Sequence, residues 1–452
     1  MSPARRWPDH GTVWRWHFYA GLLCVPFVLW LAFTGSIYLW RPQVEAWLDR
    51  PYAHVAPPGA RRASDAAIAG AAVAAVPGSV LHRFQLPDTA EQAVQVLVGK
   101  GRRETRVYVD PQTLAVLKRA DEDSRPMRVV QRLHGELLIG NWGSYVVELA
   151  ASWAIVMILS GLFLWWPQGQ GLAGTVYPRL TLRGRAFWRD LHGVVGLWVS
   201  LFALLFLVSG LPWAKSWGSY FKATRALAAD AAIGTPDWTV SHGDELRQRA
   251  ARDAGTRAML DEHADHAGMA MAHPRVDYAP LDRVAARVAP MGLAAPVLIA
   301  PPAGPGQPWT AKSDAADRPL RIDLTLDANG RVLGRRDFAT RPFLDRLVGT
   351  GVAAHEGQLF GLANQLINLF VAIGLATLAV SGALMWWRRR PADALGAPPL
   401  RPASPRAIGF LTLLVVLGVA LPMLGGSLIL VLLAERVLLR HLPGPRRWLG
   451  LT

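Results

Sequence analysis

Five long, strongly apolar stretches of the chain hold no charged side chain: residues 18–40, 149–166, 193–214, 357–387 and 407–434. A helix rises about 1.5 Å per residue, so about 20 apolar residues cross the hydrocarbon core of a bilayer. The first four stretches therefore predict membrane-spanning helices. The fifth is interrupted by Pro422, Gly425 and Gly426 and has arginines at both ends. Two short helices turning at 422–426 keep both basic ends on one side, so this stretch predicts a hairpin and a total of six membrane helices. Between the first and second stretches the pattern changes. A helix-like, alanine-rich run at 64–76 is followed by alternating runs at 81–86, 93–99 and 104–109, a turn at 110–113, and 114–117. Between the third and fourth come a helix-like 280–289, runs at 295–300 and 320–326, a turn at 327–330, and 331–334. Alternation at period two between turn residues predicts hairpins, so each region is expected to be a small α+β module. Residues 301–318, rich in Pro, Gly and Asp, read as an inserted loop.

Charge then sets the orientation. The formal charge is +15, which by itself suggests nucleic acid, but its placement does not. Basic residues crowd the short connections: Arg5, Arg6 and Arg15; Arg179, Arg183, Arg185 and Arg189; Arg388, Arg389, Arg390, Arg401 and Arg406. This is the positive-inside pattern of an inner-membrane protein, and no nucleic-acid partner is expected. Both termini are expected in the cytoplasm and both α+β regions in the periplasm. The expected order is a cytoplasmic N-terminus at 1–13, a span at 14–40 and an external domain at 41–130. A returning span with an external extension follows at 131–166, then a cytoplasmic loop at 167–190 and a third span at 191–214. The second external domain covers 215–350, the fourth span with its extension 351–387, a loop 388–406, the hairpin 407–440 and the tail 441–452. Arg5 and Arg6 before an apolar run also suit a signal peptide, but the run is too long and no small-residue cleavage site follows, so a retained span is expected. Cys24, the only cysteine, lies in the first span, so no disulfide forms within the chain and a packing role is expected.

The chain also repeats itself. His17 opens a His-x-x-x-Gly-Leu pattern with Gly21 and Leu22, and His192 opens the same pattern with Gly196 and Leu197. Thr34 and Gly35 follow His17 at the distances at which Ser209 and Gly210 follow His192. His134 is followed by Gly140, Ser160, Gly161, Trp165 and Trp166; His355 is followed, at the same steps, by Gly361, Ser381, Gly382, Trp386 and Trp387. The sequence thus reads as two tandem copies of helix, external α+β domain and helix, in parallel orientation, with the C-terminal hairpin added.

These residues resemble the PepSY-associated transmembrane family of bacterial inner-membrane proteins. The resemblance runs over roughly residues 10–390, and 107–111, Val-Tyr-Val-Asp-Pro, resembles the hairpin of its periplasmic PepSY domain. Members include ferric-siderophore reductases, so the resemblance implies two non-covalent b-type haems held by His17, His192, His134 and His355. Topology pairs them: His17 and His192 each precede an outgoing span, and His134 and His355 each precede a returning one. Bis-histidine ligation fills both axial sites of an iron and favours electron transfer over oxygen chemistry. The expected activity is transmembrane electron transfer, from the cytoplasm or the quinol pool, to a periplasmic ferric siderophore, with the donor itself left open. Rival readings are a non-redox permease for an iron or copper complex, a copper(II) reductase, and a scaffold or inhibitor that uses its PepSY domains.

Some residues stand outside this scheme. His263, His266, Met269, Met271 and His273 crowd a short tract whose thioethers and imidazoles suit copper, although such tracts are more often low-complexity linkers. Glu136 and Glu356 lie beside two of the histidines and are read as solvated carboxylates, with a second role in orienting an imidazole left open. Glu148, at the edge of the second span, is a candidate simply because an acid in a membrane helix is costly. Trp7, Trp14, Trp16, Trp40, Trp142, Trp213 and Trp217 flank spans, where indoles anchor at headgroup depth. No phosphate-binding loop, dinucleotide fingerprint or nucleophile elbow is present.

Overall fold

The computed structural model describes residues 10–57, 59, 61–166, 172–228, 242–266, 278–304, 306–398 and 408–451. The chain divides into two compact units.

The first unit comprises Met1–Ile37, Arg132–Thr239 and Leu366–Thr452 and holds the apolar helices. Among the described residues, four helices are long and apolar enough to cross a membrane. They are α1 (His10–Tyr38), α5 (Asn141–Trp165), α6 (Gly184–Gly210, continued by one tight turn to Trp213) and α11 (Leu362–Trp387). Their apolar side chains face outward as well as inward: Phe33, Leu201, Phe370 and Ile373 are all more than half exposed. In water such a surface would be a severe liability, whereas acyl chains solvate it at no cost. The inward faces carry small and polar residues, among them Ala20, Cys24, Ser152, Ser160 and Ser381. Cys24 sits buried with Sγ 3.5 Å from the Ala150 carbonyl, the packing role its sequence position suggests.

The last apolar stretch does form two helices, α12 (Ile408–Ala420) and α13 (Pro422–Leu433). The turn is tighter than the expected 422–426: it falls at Leu421, and Pro422 opens α13. Proline suits the first helical turn, where its missing N–H has no partner to lose. Gly425 is consequently inside α13, pressed against Gly418 of α12 so closely that a Cβ on Gly425 would collide with the Gly418 carbonyl. The hairpin packs on α5, where Trp153 stacks on Trp16 of α1 and its Nε1 donates to Ser427 Oγ at 3.0 Å. Beyond it, the C-terminal segment returns to the N-terminal end of α1. Arg15 donates to the Pro398 and Gly450 carbonyls, and Tyr19 Oη to the Leu449 carbonyl.

Glu148 has a structural task. Its carboxylate, 2 % exposed, accepts from the backbone N–H of Ser216 at 2.9 Å and of Trp217 at 3.0 Å. It thereby caps α7 (Lys215–Ala228), an amphipathic helix the apolar pattern did not reveal.

The second unit comprises Tyr38–Gln131 and Val240–Gln365. Its centre is one antiparallel sheet of eight strands in the order β4-β3-β2-β1-β5-β6-β7-β8. The first region supplies α3 (Asp65–Ala74), β1 (Val80–Gln85), β2 (Val94–Lys100), β3 (Arg103–Val109) and β4 (Val116–Asp121). The second supplies α9 (Ala279–Val288), β5 (Val297–Ala300), β6 (Trp309–Ser313), β7 (Ile322–Leu326) and β8 (Val332–Asp337). The two α+β regions are thus not separate modules. They join through two residue pairs, Phe84 with Ile299 and Gln85 with Leu298. The expected loop at 301–318 also contains a strand, β6, whose alternating burial is too short and too closely flanked by proline to stand out. Helices α3 and α9 cover one face, over a core that includes Ile68, Phe84, Val96, Val107, Leu281, Ile299 and Leu324.

The opposite face of β1–β3 meets α8 (His242–His266), and this contact is ionic. His82 Nδ1 donates to Glu104 Oε1 at 3.0 Å, and Arg249 of α8 pairs with Glu104, Asp123 and Glu245. Burial alone would raise the Glu104 carboxyl. The His82 hydrogen bond and the Arg83 and Arg249 charges more than reverse this and hold it at about 2. Gly99 is required here, since any Cβ would enter the His82 ring.

Candidate functional site

The N-terminal ends of α1 and α6 bring His17 and His192 together. Their ring centres are 6.4 Å apart and their planes stand at 85°. Both rings are held through Nδ1. His17 Nδ1 lies 2.9 Å from the Met157 carbonyl and 3.1 Å from Ser160 Oγ, both on α5. His192 Nδ1 lies 2.9 Å from Ser381 Oγ on α11. A glycine follows each serine, and the ring edge rests on it: a Cβ on Gly161 would be 3.0 Å from His17 Cε1, and one on Gly382 would be 3.4 Å from His192 Cε1. The same arrangement recurs around His134, which lies on α4 (Pro126–Glu136). Its Nδ1 is 2.9 Å from Thr34 Oγ1 of α1, and a Cβ on Gly35 would be 3.2 Å from its Cε1. Thr34 and His17 are 17 residues apart on α1, or about 25 Å along its axis. The two sites therefore lie at opposite ends of that span.

His134 and His355 both precede a break in the helix. After α4 the chain turns through Leu137, Leu138 and Gly140, all at positive φ, before α5 begins. Gly143 then packs so close to the Glu136 carbonyl that no side chain fits. Glu136 is itself buried, not solvated as expected, and the group found at His134 Nδ1 is the Thr34 hydroxyl. In the other unit, His355 ends α10 (Phe343–His355), ahead of Gly357 and Gly361 at positive φ. Asn364 fixes the turn behind it: Nδ2 donates to the Ala354 carbonyl at 3.0 Å, and Oδ1 accepts from Leu359 N–H at 3.1 Å. Each histidine is thus carried on a separate helix ahead of the span it precedes, not on a continuous extension of that span.

The His17–His192 pair fits an axial haem site. Two imidazoles on opposite sides of one metal place their ring centres roughly 6 Å apart, from about 2 Å per metal–nitrogen bond plus about 1 Å to each ring centre. Anchoring through Nδ1 leaves Nε2 as the ligand nitrogen. Among the described residues, no group of three or more His, Cys, Asp or Glu side chains is placed to hold a metal ion directly. The copper tract is not part of that statement: His263 and His266 fall on the backbone of α8, but their side chains and Met269, Met271 and His273 lie outside the described residues.

The hydroxyl residues are what sequence reasoning undervalued. Thr34, Ser160 and Ser381 served there only as markers of the repeat. The signal was present, since each hydroxyl is followed by glycine at a fixed step from a histidine.

No curated protein sequence matches the chain. A family description does, that of the PepSY-associated TM region, over residues 14–389. The matched segment takes in all four histidines and both halves of the sheet. The chain belongs to the PepSY-associated transmembrane family.

Proposed function

We propose that this protein is a di-haem b oxidoreductase of the bacterial inner membrane that passes electrons from a cytoplasmic donor or membrane quinol to a periplasmic ferric siderophore. The observation that carries this reading is the His17–His192 pair, two imidazoles with ring centres 6.4 Å apart and their Nδ1 atoms engaged. Haem bound there would supply a one-electron Fe(III)/Fe(II) couple. His17 and His192 would hold the cytoplasmic haem, and His134 and His355 the periplasmic one. Gly161 and Gly382 give the rings room to stand upright. Outward electron flow also gains about 2.3 kcal/mol per 100 mV of inside-negative potential. A ferric chelate that accepts one electron releases its iron because hard oxygen ligands hold Fe(III) far better than Fe(II).

The test begins with the absorbance spectrum of the purified full chain in detergent. A Soret band that sharpens with α and β bands on dithionite reduction, and about two haems b by pyridine haemochrome, are expected. Absence of haem after expression with ample haem supply overturns the reading. Stopped-flow mixing of the reduced protein with ferric hydroxamates, other ferric chelates and Cu(II) then identifies the acceptor. Reoxidation by Cu(II) alone, lost on deleting 263–273, would replace the siderophore with copper.

A further inference from the structure

We infer that Ser160, Ser381 and Thr34 are positioning residues that fix the tautomer of His17, His192 and His134 and set how strongly each imidazole donates to a bound iron. The inference builds on the haem reading, and its tautomer part can be tested without haem.

The argument is an accounting of protons. A hydroxyl has one proton to donate. Ser160 Oγ donates it to the Met157 carbonyl at 2.9 Å, Ser381 Oγ to the Leu378 carbonyl at 3.1 Å, and Thr34 Oγ1 to the Trp30 carbonyl at 2.8 Å. All three acceptors lie three or four residues back on the same helix, a geometry Ser and Thr adopt readily in membrane helices. With its proton committed, each oxygen can only accept from the histidine beside it. The proton of each imidazole must then sit on Nδ1. A neutral imidazole has one N–H, so Nε2 carries the free lone pair. At His17 a second group leads to the same answer: the Met157 carbonyl, 2.9 Å from Nδ1, has no proton to give.

The glycine after each hydroxyl completes the device. Gly161, Gly382 and Gly35 leave space for the Cε1 edge of the ring. One hydroxyl–glycine step on one helix therefore sets both the tautomer and the seat of a histidine on another.

An acceptor at Nδ1–H makes Nε2 more basic, which favours Fe(III) over Fe(II). Removing the hydroxyl should raise the midpoint potential. The two members of the first pair should respond alike. His17 keeps the Met157 carbonyl when Ser160 is lost, and His192 keeps the Leu378 carbonyl when Ser381 is lost. Ser381→Ala and Ser160→Ala should each raise the potential of that haem, and Ser381→Thr should restore it.

Two measurements decide. Nitrogen-15 spectra of histidine-labelled full chain prepared without haem should show Nδ1–H tautomers at these three histidines. Ser381→Ala should keep that tautomer at His192 through the Leu378 carbonyl. Redox titration of the haem-loaded Ser381→Ala, Ser160→Ala and Ser381→Thr proteins should give the shifts above. An Nε2–H tautomer at His192 in the unsubstituted protein overturns the inference. So does a Ser381→Ala protein with full haem and unchanged potential. A protein that never takes up haem removes the haem reading, and the tautomer spectra still decide whether the hydroxyls act as stated.

Discussion

The planes of His17 and His192 are nearly perpendicular. Perpendicular axial rings interact with different iron dπ orbitals and leave the pair almost degenerate. A haem bound there, as proposed, would give a strongly anisotropic low-spin EPR signal with a large g-max when oxidised. An ordinary rhombic signal from both haems would show that the rings turn on binding. The seats of the rings can be graded by distance. A Cβ at Gly161 would come within 3.0 Å of His17, tighter than normal contact, while one at Gly382 stands at 3.4 Å from His192. Gly161→Ala should therefore disturb the EPR signal and lower haem retention more than Gly382→Ala. Glu148 makes a different prediction, one of stability. Glu148→Ala strands two backbone N–H groups at the start of α7, at about 1–3 kcal/mol for each group left unpaired. Thermal unfolding in detergent should show the loss, and Glu148→Gln should show less of it. What was legible at this scale was the set of histidines, because their offsets repeat. The partners of Nδ1 were not legible as partners. A serine in a membrane helix bonds to its own backbone by default, and only the neighbouring helix reveals what its oxygen accepts.

Uncharged runs mark elements well when the solvent is lipid, and α1, α5, α6 and α11 follow from them directly. Helix α8 was missed for the opposite reason. Its packed face is charged, with Arg249 and Asp253 buried, so no apolar period announces it. Its attachment is correspondingly ionic. Arg249→Ala leaves Glu104 buried without that partner and should cost about 3–5 kcal/mol. Faster hydrogen exchange along α8, with protection of α3 and α9 unchanged, is the expected signature. Acid should act on the same contact. The Glu104 carboxyl is depressed in the folded protein, so its stabilising contribution is present above the ordinary carboxylate range and is lost as pH falls toward about 2. The sheet should melt at lower temperature as pH drops from about 4.5 toward 2, and Glu104→Gln should flatten that dependence. At the hairpin, Gly425→Val should force α12 and α13 apart. A disulfide engineered between the two helices in a Cys24→Ser background would then form more slowly.

For the whole molecule, the return of the C-terminal segment to Arg15 and Tyr19 puts the two described ends of the chain at one end of α1. With the positive-inside charge pattern this gives a prediction of topology. Reporter fusions after Gly450 should show the cytoplasmic phenotype, and a periplasmic one would mean an odd number of crossings. Arg15→Ala should loosen the tail, detectable as protease cleavage near 449–450. The membrane half of the molecule could be read from the sequence because hydropathy and charge act over short range. The merging of the two external regions into one sheet could not. It depends on β1 and β5 presenting complementary edges, and nothing in either strand alone specifies a partner so far along the chain.

That pairing has a consequence in time. Phe84 and Ile299 are 215 residues apart, and at 5–20 residues per second a ribosome needs about 10–40 s to cover the interval. Once Asp121 has been made, early in that interval, the first four strands are complete except for the open edge of β1, and an open edge is a template for any passing strand. The nascent protein must also thread α5 and α6 through the bilayer before β5 arrives. Slow translation between the two halves should therefore lower the yield of folded protein more than the same delay after Asp337, where the last strand of the sheet has been made.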